Sequence, residues 1–277
     1  MPELPEVETV VRGLQPHVEG RLVTHARRSK LLRALPSRGK VARGLAQCRL
    51  DRLWRRGKYL LGDLDDGRTL LVHLGMSGQL VLEPLETGPR RHMHLALRFE
   101  GLEAELRFYD PRRFGRVALG GIDELAEWTG LGSLGLEPLE HDAGEIATAI
   151  RSRSKRLKAL LLEGTAVAGA GNIYADESLF RAGLHPLRVA SSLTRREAVC
   201  LAGELQGVLR EAISGGGSTI GDYVRHDGRR GGFQEEHLVY GRAGRPCPRC
   251  GRKIRRLEVA GRGTHICTRC QRAPRKS

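Results

Sequence analysis

Long apolar runs are absent from this sequence. No apolar stretch approaches the roughly 20 residues that a helix needs to cross a lipid bilayer. The opening residues, Met1 to Glu6, carry acids and no base, whereas a secretory signal peptide begins with a basic segment. Both absences argue against a membrane-spanning or secreted protein. We therefore expect a cytoplasmic protein with no membrane partner.

Cysteine is scarce, and most of it is concentrated near the C-terminus. Four of the six cysteines form two pairs, Cys247-Pro-Arg-Cys250 and Cys267-Thr-Arg-Cys270, with 16 residues between the pairs. This spacing is typical of a zinc ribbon, in which four thiolates hold the metal tetrahedrally. Because four thiolates complete the coordination shell, no position is left for an activating water. We expect one structural Zn²⁺ rather than a catalytic metal or a redox dithiol.

Acidic residues are almost absent from the same region. From Arg242 to the C-terminus, 12 lysines and arginines accompany the single acid Glu258. The whole chain carries a formal net charge of +15. A charge of this size and sign predicts a polyanionic partner such as nucleic acid.

The first half of the chain has the pattern of a β-rich domain. From about Leu50 to Leu119, apolar residues alternate in short runs that turns interrupt. We expect one hairpin to join Tyr59–Leu64 to Thr69–Leu74 and a second to join His94–Phe99 to Ala104–Phe108. The region in front of these strands differs, because its apolar positions recur at helical spacing and predict an N-terminal helix: Val7, Val10, Val11 and Leu14.

The pattern becomes helical near Gly130. A capping-box sequence, Thr194-Arg-Arg-Glu197, predicts the start of a helix that ends before Gly215. The turn from Val167 to Asn172 falls between two further predicted helices. Residues 218–236 are rich in Gly, Arg and Asp with little to bury, which predicts a surface loop. This loop is either an active-site lid or a plain linker.

A chain of 277 residues with 40% hydrophobic and 29% charged residues is long enough for two folded domains and a small module. We expect an α+β protein. Residues 1–130 would form a β-sandwich-like domain with its N-terminal helix, residues 131–236 a helical domain, and residues 237–277 a four-cysteine zinc-ribbon finger.

The N-terminus offers a candidate nucleophile. If Met1 is removed, as a small second residue permits, Pro2 becomes a secondary amine at the start of a helix. An α-amine has a pKa of about 8, and the positive end of the helix dipole lowers it, so free base is present at neutral pH. Such an amine can attack a sugar C1′ and form an iminium, with Glu3 beside it to shuttle protons. Taken alone, a proline in the first helical turn is more often only a helix starter.

Six segments of the chain together resemble the formamidopyrimidine-DNA glycosylases. They occur in the family's order and run from residue 2 to residue 270, so the resemblance covers essentially the whole sequence. The segments are Met1-Pro-Glu-Leu-Pro-Glu-Val-Glu-Thr9, Arg56-Gly-Lys-Tyr-Leu60, His73-Leu-Gly-Met-Ser-Gly78, Asp110-Pro-Arg-Arg-Phe-Gly115, Gly171-Asn-Ile-Tyr-Ala-Asp-Glu-Ser-Leu179 and the terminal zinc module.

The resemblance implies a bacterial base-excision-repair enzyme that acts as both glycosylase and lyase on damaged double-stranded DNA. Pro2 would be the nucleophile and Glu3 the general acid and base, with Glu6 buried beside them at the lesion pocket. Lys58 would contact the phosphate next to the lesion and assist catalysis. The resemblance further implies a monomer without a small-molecule cofactor, associated with the nucleoid through DNA.

The resemblance also implies DNA contacts. Asn172, in a helix-two-turn-helix element, and Arg262, on the zinc hairpin, would bind backbone phosphate. His92 is similar to a family DNA contact, with a plain surface histidine as the alternative. Because a glycosylase must flip its target base out of the stack, other residues must fill the gap. The resemblance assigns this filling to Met76, Arg112 and Phe114, which we expect at exposed loop tips.

The flipped base would be enclosed by a lesion-recognition loop, residues 217–236, with Ser218 and Thr219 as candidate contacts. Gly232 stands where many relatives carry an aromatic residue, and Gln79 occupies a variable position; both bear on which lesion is preferred. Two other functions are open. An endonuclease VIII-like glycosylase would act on oxidised pyrimidines, and a zinc-ribbon DNA-binding protein would have no catalytic use for Pro2.

Overall fold

The computed structural model describes residues 1–29 and 41–274. The chain divides into two compact units, each built from two stretches of sequence. Unit 1 comprises Met1–Ser133 and Gly215–Gln234, and unit 2 comprises Leu134–Ser214 and Glu235–Ser277. The stretch 215–234, which the sequence pattern assigns to the helical domain, therefore packs with the β-rich unit.

The described residues of unit 1 form three α-helices and eight strands. The helices are α1 (Leu4–Val18), α2 (Val41–Leu45) and α3 (Ile122–Thr129). The strands are β1 (Arg21–Arg28), β2 (Arg49–Arg56), β3 (Tyr59–Leu64), β4 (Thr69–His73), β5 (Gln79–Pro84), β6 (Met93–Phe99), β7 (Ala104–Tyr109) and β8 (Arg116–Gly120). Both predicted hairpins are confirmed, as β3 pairs with β4 and β6 with β7 in antiparallel register.

The eight strands form a continuous sheet in the order β5-β7-β6-β1-β2-β3-β4-β8. β1 joins its two halves, because Arg21 and Leu22 pair with β2, while Val23 and His25 to Arg28 pair with β6 around a register shift between Val23 and His25. Apolar side chains from both halves share one core, for example Leu60 and Val72 from one half and Leu97 and Phe108 from the other. Two sheet halves around one core make the sandwich-like domain that the sequence predicts.

Helix α1 closes this core. Its apolar positions Val7, Val10, Val11 and Leu14 are all buried, which confirms the helical spacing in the sequence. A Pro in the first turn suits a helix start, because the missing N–H would have no helical partner there. The burial of one face of α1 fixes its first turn against the sheet.

Unit 2 is helical with a small hairpin. Its helices are α4 (Ala143–Arg151), α5 (Leu157–Glu163), α6 (Asn172–Arg181) and α7 (Arg195–Ser214), and its strands are β9 (Arg255–Val259) and β10 (Arg262–Ile266). The predicted capping box is present, since Thr194 N–H donates to Glu197 at 2.8 Å and Glu197 N–H donates to Thr194 Oγ1 at 3.2 Å. Among the described residues, no helix combines the length and apolarity of a membrane span.

Candidate active site and zinc centre

The first turn of α1 brings Pro2, Glu3 and Glu6 together. All three residues are buried. Glu3 and Glu6 form a reciprocal capping box, in which Glu6 Oε2 accepts the Glu3 N–H at 2.8 Å. Backbone N–H groups at a helix start attract carboxylates, and this turn holds two acids beside the proline nitrogen. An amine at position 2 would thus have a carboxylate as its immediate neighbour.

Glu6 also fixes the loop that follows α7. Its second oxygen, Oε1, accepts the Ser218 N–H at 2.8 Å, although the two residues are 212 positions apart. Tyr223 lies against the same turn and donates from its hydroxyl to Gly216 O at 3.1 Å. Burial, together with the charge of Glu6, raises the pKa of Tyr223, so its phenol stays protonated. One carboxylate therefore connects the Pro2 turn to the loop.

Gly217 is required at this junction for two reasons. Its φ is +82°, a conformation that side chains other than glycine rarely adopt. A Cβ at this position would also lie 3.0 Å from the Tyr223 ring and 3.1 Å from Glu6 Cγ. The glycine lets the loop backbone approach both side chains closely.

Lys58 lies in the two-residue turn between β2 and β3, where Arg56 pairs with Tyr59. Arg55 ties this turn to α1, because it donates to Glu8 Oε2 at 2.7 Å and to Gly57 O at 3.0 Å. Burial opposes the charged form of Glu8, but the hydrogen bonds and charges of Arg55 and Arg12 outweigh it and lower the pKa of Glu8. An ionised Glu8 keeps the Lys58 turn attached to the helix whose first turn carries Pro2.

His73, at the end of β4, lies among basic groups. Burial, reinforced by the charges of Arg116 and Lys58, lowers the pKa of His73 to about 4. Its Nδ1 accepts the Gly75 N–H at 3.1 Å, and its ring lies 4.9 Å from that of Tyr59. A neutral imidazole therefore positions the start of the loop that carries Met76.

Met76 and Phe114 lie on two exposed loops, as the sequence predicts, with 38% and 48% of their surface accessible. The Arg112 guanidinium stacks over the Phe114 ring at 4.9 Å. The loops meet at Gly75, where a Cβ would lie 2.6 Å from the backbone of Phe114. The three side chains expected to fill a gap in DNA are thus held on adjoining loops.

A single buried carboxylate, Asp110, holds both loops in place. Asp110 Oδ1 accepts from Ser77 Oγ at 2.6 Å, and Oδ2 accepts from Gly115 N–H at 2.6 Å. Asp110 N–H donates to the carbonyl of the exposed His92 at 3.0 Å. His92 has a φ of 65°, which makes it a turn residue directly before β6. The structure therefore places His92 beside the gap-filling loops.

Thr219 is engaged within its own loop. Its hydroxyl accepts the Gly231 N–H at 2.8 Å, and its backbone N–H donates to Gln234 Oε1 at 2.9 Å. Together with the Ser218 bond to Glu6, these contacts close the loop on itself and onto α1. The groups that the sequence offered as base contacts take part in the loop's own structure.

In unit 2, Asn172 begins helix α6 and touches the zinc hairpin. Its Nδ2 donates to Gly263 O at 3.0 Å, directly after the exposed Arg262. Arg262 follows the tight turn at Ala260 and Gly261, both of which have positive φ. The two residues expected to bind phosphate are therefore held together at a helix start, where backbone N–H groups favour anions.

Two consecutive acids on α6 fasten the rest of this unit. Asp176 Oδ1 accepts from the fully buried Lys158 at 2.6 Å, and Asp176 Oδ2 accepts the His265 N–H at 2.8 Å. Lys158 also donates to Thr264 Oγ1 at 2.8 Å. Glu177 accepts three backbone N–H groups, from Leu238, Val239 and Tyr240, at 2.8 to 3.0 Å. These contacts clamp β10 and the segment before the zinc module onto α6.

The four cysteines of the two Cys-x-x-Cys pairs form one cluster. Their sulfur atoms all lie within 4.8 Å of one another, with Cys247 and Cys270 3.9 Å apart and Cys250 and Cys267 3.4 Å apart. Four sulfurs at about 2.3 Å from a tetrahedral zinc would be separated by about 3.8 Å. The cluster therefore fits Zn²⁺.

Comparison with known proteins matches this architecture from end to end. Three family models match in chain order: the N-terminal domain of formamidopyrimidine-DNA glycosylase over residues 1–117, its H2TH domain over 134–224, and a zinc finger found in FPG and IleRS over 244–273. A formamidopyrimidine-DNA glycosylase of Cereibacter sphaeroides is 44% identical over 284 residues, which cover 98% of this chain and 100% of that protein. The chain belongs to the formamidopyrimidine-DNA glycosylase family.

Solved structures of this family have the same fold. The MutM (Fpg) protein of Thermus thermophilus has a TM-score of 0.86 and 44% identity, with 98% of each chain covered. A mutant of the Lactococcus lactis FPG, in a complex with DNA that contains Fapy-dG, has a TM-score of 0.88 and 34% identity over 98% of this chain and 100% of that one. A MutM in complex with DNA that contains carbocyclic 8-oxo-G has a TM-score of 0.87 and 35% identity over the same shares.

Membership of the family decides the role of the metal. The matched zinc finger contains the four-cysteine cluster, so this chain has one structural zinc centre. With four thiolates as ligands, the zinc shapes the hairpin that carries Arg262 and supplies no reactive water.

The sequence pattern did not reveal the residues that hold the candidate site residues of each unit in place. Glu8, Asp110, Lys158, Asp176 and Glu177 all act through contacts between distant parts of the chain. The one local signal was the position of Asp110, Asp176 and Glu177 inside family-like segments.

Proposed function

We propose that this chain removes oxidised purines, 8-oxoguanine and formamidopyrimidines, from double-stranded DNA and then cleaves the abasic strand. The observation that carries the proposal is the buried Pro2–Glu3 pair at the start of α1, in a chain that belongs to the formamidopyrimidine-DNA glycosylase family. The purine preference is supported by relatives that were solved with Fapy-dG and 8-oxo-G DNA.

The proposed chemistry begins after Met1 has been removed. The Pro2 nitrogen attacks the sugar C1′, the bond from C1′ to the base breaks, and the base leaves with a proton. The sugar ring opens and an iminium joins Pro2 to C1′. Loss of a C2′ proton then expels the 3′ phosphate, and a second elimination expels the 5′ phosphate. Hydrolysis frees Pro2 and leaves a one-nucleotide gap with phosphates at both ends.

Glu3 is the proposed proton shuttle, because it is the carboxylate next to Pro2 and is held by the capping box. Glu6 would support the site by fixing Glu3 on one side and Ser218 on the other. Lys58 would bind the phosphate next to the lesion from the turn that Arg55 attaches to α1. Glu6 itself accepts two N–H groups, so its proposed role is positioning.

DNA binding is proposed for residues of both units. Asn172 and Arg262 would bind phosphate, and His92 would contact the backbone near the gap-filling loops. Met76 and Phe114 would enter the space that the flipped nucleotide leaves, since an apolar wedge can separate stacked bases. Arg112 would hydrogen-bond the base left without a partner.

The loop of residues 217–236 is proposed to enclose the flipped base. Ser218 and Thr219 remain the candidate contacts with the base. To reach the base, the Ser218 N–H would leave Glu6 and the Thr219 hydroxyl would leave the Gly231 N–H. We further propose that the protein acts as a monomer, without a small-molecule cofactor, on bacterial nucleoid DNA.

The proposal is tested by strand cleavage of three duplexes that contain 8-oxoguanine opposite cytosine, a thymine glycol, or no lesion. We expect cleavage at 8-oxoguanine that Glu3→Gln abolishes, because the variant cannot exchange protons at that carboxylate. Glu86→Gln changes an exposed acid of unit 1 and serves as the matched control, with activity like the parent chain.

The other functions predict different outcomes. Cleavage at thymine glycol but not at 8-oxoguanine would replace the proposal with an endonuclease VIII-like activity. Binding to damaged DNA without any cleavage, retained in Glu3→Gln, would indicate a zinc-ribbon DNA-binding protein.

A further inference from the structure

The segment Asp222–His226 of the loop after α7 lies along strand β5. Leu82 N–H in β5 donates to His226 O at 2.9 Å, and the Gln79 side chain donates to Asp222 O at 2.5 Å. β5 stands at the end of the sheet and pairs with only one strand, β7, among the described residues. The loop segment therefore covers backbone groups that a sheet edge would otherwise leave unpaired.

The side chain of His226 is seated on helix α1 at Gly13. A Cβ added to Gly13 would lie 1.9 Å from His226 Nδ1, 2.3 Å from Cε1 and 2.6 Å from Cγ. Glycine is a poor helix former, and its place in the middle of α1 is explained by the ring that covers it. The His17 ring lies 6.1 Å from the same imidazole. The absence of a side chain at Gly13 thus leaves a notch on α1, and the His226 ring fills it.

The other end of the loop is attached to the catalytic turn. Ser218 N–H binds Glu6, whose second oxygen binds Glu3 N–H, and Tyr223 packs on the same turn. A loop that is fixed at Ser218 by Glu6 and at His226 by Gly13 has one defined path between these points. Loss of the second attachment would leave the segment held by its backbone bonds to β5 and by Tyr223, without the side-chain contact that seats its end on α1.

We infer that His226, seated over Gly13, is a positioning residue that holds the lesion loop closed for excision of the damaged base. This inference rests on the proposed function, in which the loop encloses the flipped base. Strand cleavage at a preformed abasic site has no base to enclose, so it does not need the closed loop. The Gly13–His226 contact should therefore affect base excision and not the lyase step.

The test compares two single-turnover rates, excision of 8-oxoguanine and cleavage of an abasic duplex, in Gly13→Ala, His226→Ala and the double variant. We expect excision to fall on the order of 10-fold in each, because displacement of a group by about an ångström costs rates of this size or more. Cleavage of the abasic duplex should match the parent chain. The double variant should be no worse than the worse single variant, because both remove one contact.

Two further variants keep the test decisive. Gly203→Ala, in helix α7, adds a Cβ with nothing within 4 Å and should leave both rates unchanged. His226→Phe retains a flat ring over Gly13, so its excision rate should lie between those of His226→Ala and the parent chain. This comparison does not depend on whether Gly13→Ala folds. Limited trypsin digestion supplies a direct readout, since an open loop should be cut faster at Arg229 or Arg230.

The outcomes separate this inference from the proposed function. If the parent chain does not excise 8-oxoguanine, the proposed function fails. If it does, and Gly13→Ala and His226→Ala excise at the parent rate, only the loop inference is overturned. An equal loss of excision and abasic cleavage would also overturn it, because a general structural defect would then explain both.

Discussion

Replacing Lys158 with methionine should weaken unit 2 far more than its position on a short helix suggests. Lys158 and Asp176 both have 0% accessible side-chain surface, and their charged atoms lie 2.6 Å apart. The substitution keeps most of the side-chain volume but leaves the Asp176 charge buried, with His265 as its one remaining side-chain partner in the described part of the chain. Removal of one partner of a buried pair costs about 3–5 kcal/mol.

The same helix region supplies a matched control. Lys155 forms an ion pair with Glu163 at the same distance of 2.6 Å, but the two side chains are 57% and 37% exposed. An exposed pair contributes about 0.2–1 kcal/mol, so Lys155→Met should change stability little. Two lysine–carboxylate pairs at the same distance should therefore differ several-fold in effect, because one is buried within a hydrogen-bond network and the other is exposed.

Calorimetric unfolding of the zinc-loaded proteins measures both effects. For a protein of this size, we expect Lys158→Met to lower the Tm by about 6–20 °C and Lys155→Met by less than about 4 °C. Zinc release, followed with a coloured chelator, should be faster in Lys158→Met, because Lys158 also holds β10 through Thr264. Equal Tm shifts in the two variants would refute the reasoning from burial.

Three other predictions concern charge and metal. Arg262→Ala should reduce the slope of log affinity against log salt by about 1, and an unchanged slope would remove Arg262 from the DNA surface. Removal of zinc should abolish DNA binding while unit 1 keeps its circular dichroism, and full binding by metal-free protein would contradict the structural role. The pKa of His73 is about 4 in the folded chain against 6.5 for a free histidine, so stability present above pH 6.5 is lost as pH falls toward 4. His73→Gln has no group that takes up a proton in this pH range, so it lacks this loss. As the pH falls from 6.5 to 4, the unfolding free energy of the parent chain should therefore fall by up to about 3 kcal/mol relative to that of His73→Gln. A difference that does not change with pH would contradict the low pKa.

Local pattern predicted the elements whose signals are local. The β3–β4 and β6–β7 hairpins follow from alternation and turns, and the start of α7 follows from Thr194 and Glu197. The zinc centre follows from cysteine spacing. Each of these depends on residues that are close in sequence, so the one-dimensional pattern contains the information.

Long-range contacts were beyond the sequence pattern. The loop after α7 was expected to have little to bury, which is wrong, since Ser218, Tyr223 and Phe233 are all buried. The error arose because the burial of Ser218 and Tyr223 depends on α1, more than 200 residues away. β1 was also missed, because its partly buried strand lacks a clear alternation.

The central claim, that Pro2 is the covalent nucleophile, is tested most directly by borohydride reduction. The protein is incubated with an 8-oxoguanine:cytosine duplex and sodium borohydride, and the cross-linked peptide is sequenced by mass spectrometry. We expect a covalent adduct whose attached residue is an N-terminal Pro2, which would show both the removal of Met1 and the iminium. Strand cleavage with no adduct, or with an adduct at a lysine such as Lys58, would contradict the account.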